Sequence, residues 1–301
     1  MGRLGWAILL LLAGRVRSRD GEEATEQVEG FPKVHPCLRG LQGEFVIATV
    51  HTAQGRLFDM AVRPHHKDPM SRVIRKLGFW EIQSPQDVAN LADAKLLVPD
   101  GRSPYLLDVG AHTNIGFYTL LFAHAKWHSI AIEPMPSNLR ALNVSLCLNP
   151  RLAQRVTIVP VAASAPLHAG RACTVRASND QPGGIGNGVL SCNSTLPCVS
   201  GHNDICKLVY TRTVDSVLRE LKPPGVDLVK IDIEGHECDV MASNGSTELF
   251  THWQPGLIQW EGKSKAVDDC MRRRVKRYGY RIGTHYGNDR NTVGVRVPTE
   301  S

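Results

Sequence analysis

The sequence predicts an α/β fold: a doubly wound, mostly parallel sheet with an antiparallel strand at its edge and a small N-terminal cap. Three stretches predict it. Tyr105, Leu106 and Leu107 form an apolar run ending on Asp108, a glycine-containing turn covers residues 109–116, and an amphipathic helical pattern starts at Phe117. That order reads as a buried parallel strand, a ligand-binding loop and a crossover helix. A second apolar run, 127–132, ends on Glu133 and Pro134, and a third, 226–231, runs into Asp232. Acidic residues closing successive parallel strands point to a cleft beyond the carboxyl ends of the sheet, where ligands of such folds bind.

The chain has 301 residues, 42% of them hydrophobic, and a formal net charge of +6. That suffices for one large α/β domain with an N-terminal extension. The positive balance is modest, and no nucleic-acid partner is expected. Part of it is concentrated in Arg272, Arg273, Arg274, Lys276 and Arg277. This patch reads either as the solvated face of a late helix or as a surface for an anionic glycan or lipid headgroup.

Residues 1–18 have the pattern of a secretory signal peptide, with Arg3, a short apolar run at 7–12 and a small-residue cleavage site at Val16, Arg17 and Ser18. The run is short for a bilayer, so no stable membrane span is expected, a short signal anchor being the other reading. Three sequons, at Asn143, Asn193 and Asn244, suit a lumenal chain. Eight cysteines in that setting predict disulfides, with the pairing left open. The expected location is the ER or Golgi lumen, or outside the cell.

Residues 19–30 are polar and acidic and are expected to be a disordered stub, the start of an extension and cap spanning 19–100. Alternating apolar residues over 45–62 predict short strands. Asp68 and Pro69 open a helix running to Leu77 before Gly78, and a second helix is expected over 85–94. Between them, Trp80 and Glu81 are placed to face the cleft, packing at a helix end being the other reading of Trp80. From residue 101 strand and helix alternate in the main domain, 101–301. Helices are expected at 136–146, 214–221, 237–250 and 266–276, with strands at 156–161 and 255–260. A hairpin of strands 280–283 and 292–297 closes the chain. Residues 164–207 break the rhythm. They hold Cys173, Cys192, Cys198 and Cys206 among several glycines, and predict a loop insertion stapled by at least one disulfide. Their spacing fits no common zinc pattern.

The loop after the first strand reads D-x-G-A…N-x-G over Asp108, Gly110, Ala111, Asn114 and Gly116. It lacks the second and third glycines of the dinucleotide fingerprint, which argues against a dehydrogenase. An acidic residue leading the loop suits S-adenosylmethionine, which carries a sulfonium cation and no pyrophosphate. Glu133 is placed for the two hydroxyls of a ribose, and Gly110 lets backbone approach a ligand closely.

These residues, with IEPMPSN at 132–138, TVDSVLRE at 213–220 and VDLVKIDIEGHE at 226–237, resemble the FkbM-type S-adenosylmethionine-dependent methyltransferase family over roughly residues 68–262. The resemblance implies a class I methyltransferase (Rossmann-like) fold and O-methyl transfer to a hydroxyl, often of a sugar. By position it implies that Asp108, Gly110, Asn114 and Gly116 hold the methionine end of the cofactor. Glu133 would bind its ribose, and Ala162 would lie near the adenine. Relatives read D-x-G-A-N-x-G, whereas His112 and Thr113 are inserted here. That insertion is the one hint of a second reading, a secreted binding protein that keeps the fold without catalysis.

Transfer to a hydroxyl gains from a base beside the acceptor oxygen. Asp232, Glu234, His236 and Glu237 crowd the end of the fourth core strand and are the candidate catalytic residues. Asp232 and Glu234 share a side if the strand persists that far. An imidazole titrates near neutrality and suits a base, with packing as the other reading of His236. Glu237 is either a site residue or a cap for the next helix. No resident metal is expected, although clustered carboxylates of this kind can hold Mg²⁺. The expected partners are the cofactor and a glycan acceptor.

Overall fold

A seven-stranded sheet is the spine of the computed structural model, which describes residues 35–41, 43–64, 68–91, 101–111, 116–177, 188–192, 206–242, 244–286 and 291–297. The expected signal at 1–18, the acidic stretch 19–30, the end of the helix expected over 85–94, loop residues His112, Thr113 and Asn114, the sequon at Asn193 and Cys198 lie outside the described residues. Among the described residues, no helix is long and apolar enough to cross a membrane.

The N-terminal segment begins with an antiparallel hairpin, β1 (Val46–Thr52) and β2 (Gly55–Val62), as the period-2 pattern predicts. Helix α1 (Pro69–Leu77) follows. The Asp68 carboxylate accepts from the backbone N–H groups of Met70 and Ser71 at its start, and Gly78 ends it in the left-handed region at φ 79°. Helix α2 (Pro85–Leu91) completes the segment.

The sheet is then built from β3 (Tyr105–Val109), α3 (Phe117–His124), β4 (His128–Ile132), α4 (Pro136–Leu148), α5 (Pro150–Ala153) and β5 (Val156–Val159). An inserted unit holds β6 (Ala162–Ala163), β7 (Ala172–Ala177), β8 (Gly188–Ser191) and β9 (Cys206–Arg212). The chain returns through α6 (Val214–Leu221), β10 (Leu228–Ile231), α7 (Glu237–Val240), β11 (Leu257–Glu261), α8 (Lys265–Arg277), β12 (Tyr280–Tyr286) and β13 (Asn291–Arg296). Strand order is β12-β13-β11-β10-β3-β4-β5, so β3 is an inner strand, with β4 on one side and the central β10 on the other. There the order reverses and a ligand cleft opens.

Four expectations are corrected. The antiparallel strand is not at the edge: β13 runs antiparallel to both β11 and β12, and β12 takes the edge. Helix α3 is not amphipathic. Phe117 through Ala123 are all buried, because the helix is enclosed between the sheet and the N-terminal segment, and a helix apolar all round belongs in such a place. The helix expected over 237–250 stops at Val240, where Asn244 (φ 70°) and Gly245 make a turn. A new π-helical turn, Leu249–Trp253, follows, and the Asp215 carboxylate accepts from the N–H groups of Glu248 and Leu249 at 2.9 Å each. Residues 164–207 are not only loop, since β6, β9, β7 and β8 form a second, four-stranded sheet.

Alternation sorts the core. Leu106, Leu228 and Leu257 face α3 and the N-terminal hairpin, whereas Leu107, Val229 and Ile258 face the side of α6 and α8. Disulfides join Cys37 to Cys147, Cys173 to Cys192 and Cys238 to Cys270, and Cys206 is disulfide-bonded too. The first closes a separation of 110 residues and ties the N-terminal segment to α4. Breaking it with Cys37→Ser and Cys147→Ser together should cost about 2–5 kcal/mol of unfolding free energy, by the entropy regained in the unfolded chain. Denaturant titration checks this. A loss under about 1 kcal/mol would show that packing of β2 on α4 suffices without the bond.

Candidate active site

Three polar side chains stand in register across the centre of the sheet. Asp108 of β3 pairs with Lys230 of β10, and Lys230 with Gln259 of β11. All three share the parity of Leu106, Leu228 and Leu257 and so face α3. Lys230 is 1% exposed, with Nζ 3.1 Å from Asp232 Oδ2 and 5.1 Å from the centre of the Tyr118 ring. Burial works against its charge, but Asp232, Asp108 and Glu81 outweigh burial and hold the ammonium above the ordinary lysine range. Asp108 is enclosed as well. Burial raises its pKa, Lys230 opposes the rise, and the Thr119 hydroxyl donates to Oδ2 at 2.7 Å.

The layer continues upward through α3 into the N-terminal segment. Gln259 Nε2 donates to the Tyr118 hydroxyl at 3.2 Å, and that hydroxyl donates to Glu81 Oε2 at 3.1 Å. Asn291 Nδ2 donates to Glu81 Oε1 at 3.2 Å. Trp80 takes its packing reading: it lies against the core with its indole N–H enclosed.

Strand β10 ends at Ile231, so Asp232 and Glu234 do not share a strand face. A tight turn brings them together instead. Glu234 has φ 60° and Gly235 φ 103°, and Glu237 Oε1 closes the turn by accepting from the N–H groups of Ile233 (3.0 Å) and Gly235 (3.1 Å). Glu237 is fully buried under the turn, and burial pushes its carboxyl up to about 7. Gly110 (φ 80°) packs against this turn so closely that a Cβ would lie 2.0 Å from the Asp232 carbonyl oxygen.

Oxygen atoms of Asp232, Glu234 and Glu261 lie within 4.8 Å of one another, close enough to hold a cation. Lys230 already pairs with Asp232, and Lys263 with Glu234, so the cluster carries countercharges of its own. Burial and the charges of Asp232 and Glu234 push Glu261 up to about 8, with Lys263 opposing. His236 Nδ1 lies 3.6 Å from Asp239, an exposed carboxylate.

One cleft gathers most of the predicted residues. Gly110, Glu133, Ala162, Asp232, Glu234 and His236 all line it. Glu133 is fixed at the start of α4, its Oε1 accepting from Met135 N at 2.7 Å and Asn138 Nδ2 at 3.0 Å. Arg63, just past β2, donates in turn to Asn138 Oδ1 at 3.0 Å. Val175 and Leu190 of the second sheet supply an apolar wall. Asp108 lies beneath the floor, Gly116 packs against Leu142 at the start of α3, and Glu237 sits under the turn. Sequence reasoning assigned no role to Lys230, Glu261, Val175 or Leu190. Lys230 had a visible signal, a lone cation inside an apolar strand, and Glu261 another, an acid closing the strand expected at 255–260.

No curated protein matches the chain. Solved structures with a related arrangement include a precorrin-6y C5,15-methyltransferase from Geobacter metallireducens (11% identity, TM-score 0.39, covering 73% of this chain and 93% of that one). A human methyltransferase 10 domain containing protein (12% identity, TM-score 0.42, 71% and 80%) also matches. So does an S-adenosylmethionine-dependent O-methyltransferase from Thermotoga maritima (11% identity, TM-score 0.39, 86% and 79%). At these scores none carries an argument about function. The family described as Methyltransferase FkbM domain matches residues 108–282, more than half of the chain, from the first strand-end carboxylate to the edge strand. The chain belongs to the FkbM methyltransferase family and is an S-adenosylmethionine-dependent methyltransferase.

Proposed function

We propose that this enzyme methylates a hydroxyl of a glycan or glycoconjugate in the secretory pathway. The observation that carries the reading is the convergence of Asp232, Glu234 and Glu261 beside the cleft lined by Gly110, Glu133 and Ala162. Carboxylates accept hydrogen bonds from hydroxyls and take up their protons. The signal-like residues 1–18, the disulfides, and exposed sequon asparagines at Asn143 on α4 and Asn244 in a turn support the location.

The cleft suits S-adenosylmethionine, being acidic at Glu133 and Asp232 and apolar at Ala162, Val175 and Leu190. Bound there, the cofactor supplies an electrophilic methyl group on a cationic sulfur. Glu133, held by Met135 and Asn138, would bind the ribose hydroxyls, and Ala162 leaves room for a flat base. Asp108 and Gly116 support the loop from below. Asp232, paired with Lys230, would orient the acceptor hydroxyl and accept its proton. Positioning supplies most of the acceleration, and proton removal adds about 10²–10⁴-fold. His236 lines the cleft without contact to Asp232 and is the second group able to take the proton.

The test is transfer of radiolabelled methyl over a panel of methyl glycosides and secretory-pathway glycans, with product identification. Label is expected in an O-methyl ether. Asp232→Asn should lose about 10²–10⁴-fold in turnover while calorimetric cofactor affinity stays near wild type. Glu133→Ala should weaken cofactor binding itself. Tight cofactor binding with no labelled hydroxyl across the panel would sink the acceptor assignment.

In this scheme Glu237 braces the turn and takes no proton from the acceptor. Its folded pKa of about 7 exceeds the ordinary 4.5, so its contribution to stability is complete below about 4.5 and is lost as pH rises through about 7. Glu237→Gln keeps an oxygen for the two amides and cannot ionise. The melting temperature of the wild type should therefore fall more steeply between these pH values than that of the variant. Parallel curves would place the pH dependence elsewhere.

A further inference from the structure

A second groove, of about 550 Å³, is lined by Arg219, Lys222, Pro223, Glu248, His252 and Trp253. Ligand pockets commonly have about 300–1,000 Å³. Strand direction fixes its place. Helix α6 and the turn Leu249–Trp253 lead into the amino ends of β10 and β11, which run parallel to β3 and β4. The residues assigned to the cofactor, Gly110, Glu133 and Asp232, follow the carboxyl ends of β3, β4 and β10. The groove therefore lies at the opposite edge of the same sheet, and the methyl-transfer reading makes no use of it.

Two left-handed chain ends build it. Lys222 (φ 48°) closes α6 by donating its N–H to the Leu218 carbonyl, and Gln254 (φ 48°) closes the turn by donating to that of Leu249, both at 2.8 Å. The first element brings Arg219 and Lys222, the second His252 and Trp253. The imidazole stands edge-on to the indole with 4.8 Å between ring centres. Arg219, Lys222 and His252 are exposed, and Trp253 is half-buried. Lys222 has no ion pair among the described residues, and Arg219 meets Glu248, the one acid of the lining, at 3.8 Å. A pair that long between exposed side chains holds neither firmly. A helix end favours a cation through its dipole, but that accounts for Lys222 alone and not for the indole and imidazole brought to it by another element.

The basic end of α8 lies beside the same turn. Tyr278, the residue after the helix, stacks flat on Phe250 with 4.3 Å between ring centres. Arg273, Lys276 and Arg277 are exposed there and make no ion pair among the described residues. Among the described residues, none of the large exposed apolar side chains that would enter a bilayer lines the groove. The disulfides suit an oxidising compartment, where the polyanions a protein meets are acidic glycans rather than nucleic acids.

We infer that this groove binds an anionic saccharide apart from the catalytic cleft. Its sulfate or carboxylate groups pair with Arg219 and Lys222, a ring face lies on Trp253, and the chain continues toward the cations of α8. The inference holds whatever hydroxyl accepts the methyl group.

The test is calorimetry on the full chain at about 0.15 M salt, with a heparin octasaccharide, a hyaluronan octasaccharide, neutral maltoheptaose and phosphatidylserine vesicles. The wild type should bind at least one of the two acidic octasaccharides at least about 10-fold more tightly than maltoheptaose. Heparin alone would assign sulfate, and hyaluronan would assign carboxylate. The double variant Arg219→Gln, Lys222→Asn should lose at least about 10-fold, asparagine being tolerant of the left-handed region. Trp253→Leu, which keeps an apolar side chain and removes the flat face, should lose a similar factor. Arg39→Gln, which removes an exposed cation before β1, should bind as the wild type does. Unchanged affinity for S-adenosylhomocysteine shows that each variant is folded. The inference is overturned by wild-type affinity in the double variant or in Trp253→Leu, or by an equal loss in Arg39→Gln, which would mean attraction to bulk charge. It is overturned as well if neither acidic octasaccharide binds, or if Arg219 and Lys222 serve the vesicles in preference to both.

Discussion

The buried ammonium of Lys230 is the constraint around which the site is arranged. A cation at 1% exposure costs several kcal/mol in lost hydration unless opposite charges surround it. Here they come from three parts of the chain: Asp108 on β3, Asp232 just past β10, and Glu81 from the N-terminal segment. The Tyr118 ring on α3 adds a fourth contact from above. One lysine beneath the strand ends therefore offsets part of the carboxylate charge gathered in a shielded cleft. The same lysine ties the central strands to the segment that covers them.

The enclosure of α3 follows from this arrangement. A helix that must hold Tyr118 and Thr119 over the polar row, while sealing that row from water, cannot present a polar face of its own. Its other side is covered by the hairpin and α1, and the hairpin is anchored to α4 through the Ala61 N–H donating to Ser145 Oγ and through the Cys37–Cys147 bond. Arg63 extends that anchoring to Asn138 and so to Glu133. The N-terminal segment thus braces the cofactor side of the cleft and supplies Glu81 to the charges around Lys230.

Much of this was legible in sequence because polar residues that end apolar runs are unusual, and Asp108, Glu133 and Asp232 each do so. The caps of α1 were legible for a local reason, since Asp68, Pro69 and Gly78 act through their own neighbours. Contacts made across long separations were not. Asp232 and Glu234 come together through a turn with φ 60° at Glu234, where the sequence reading assumed a continuing strand. The break after Val240 depends on Asp215, a residue of α6, capping the next turn. The second sheet is built from short strands whose pairing crosses residues 178–187 and 193–205, and periodicity alone does not reveal such pairings. Glu81 acquires its meaning only when Asn291, at the far end of the chain, is folded beside it.

The position of that pair bears on how the family's common domain is completed by the chain around it. The family match spans residues 108–282 and contains Gly110, Glu133, Ala162 and Asp232, which line the cofactor cleft. Glu81 and Asn291 lie on either side of it, one before its start and one after its end. The matched domain thus holds the residues assigned to the cofactor, while one of the carboxylates that offset Lys230 is delivered by flanking chain and fixed by a hydrogen bond between the two flanks. Tyr118 and Gln259 join the two parts, because each belongs to the matched domain and each points toward Glu81.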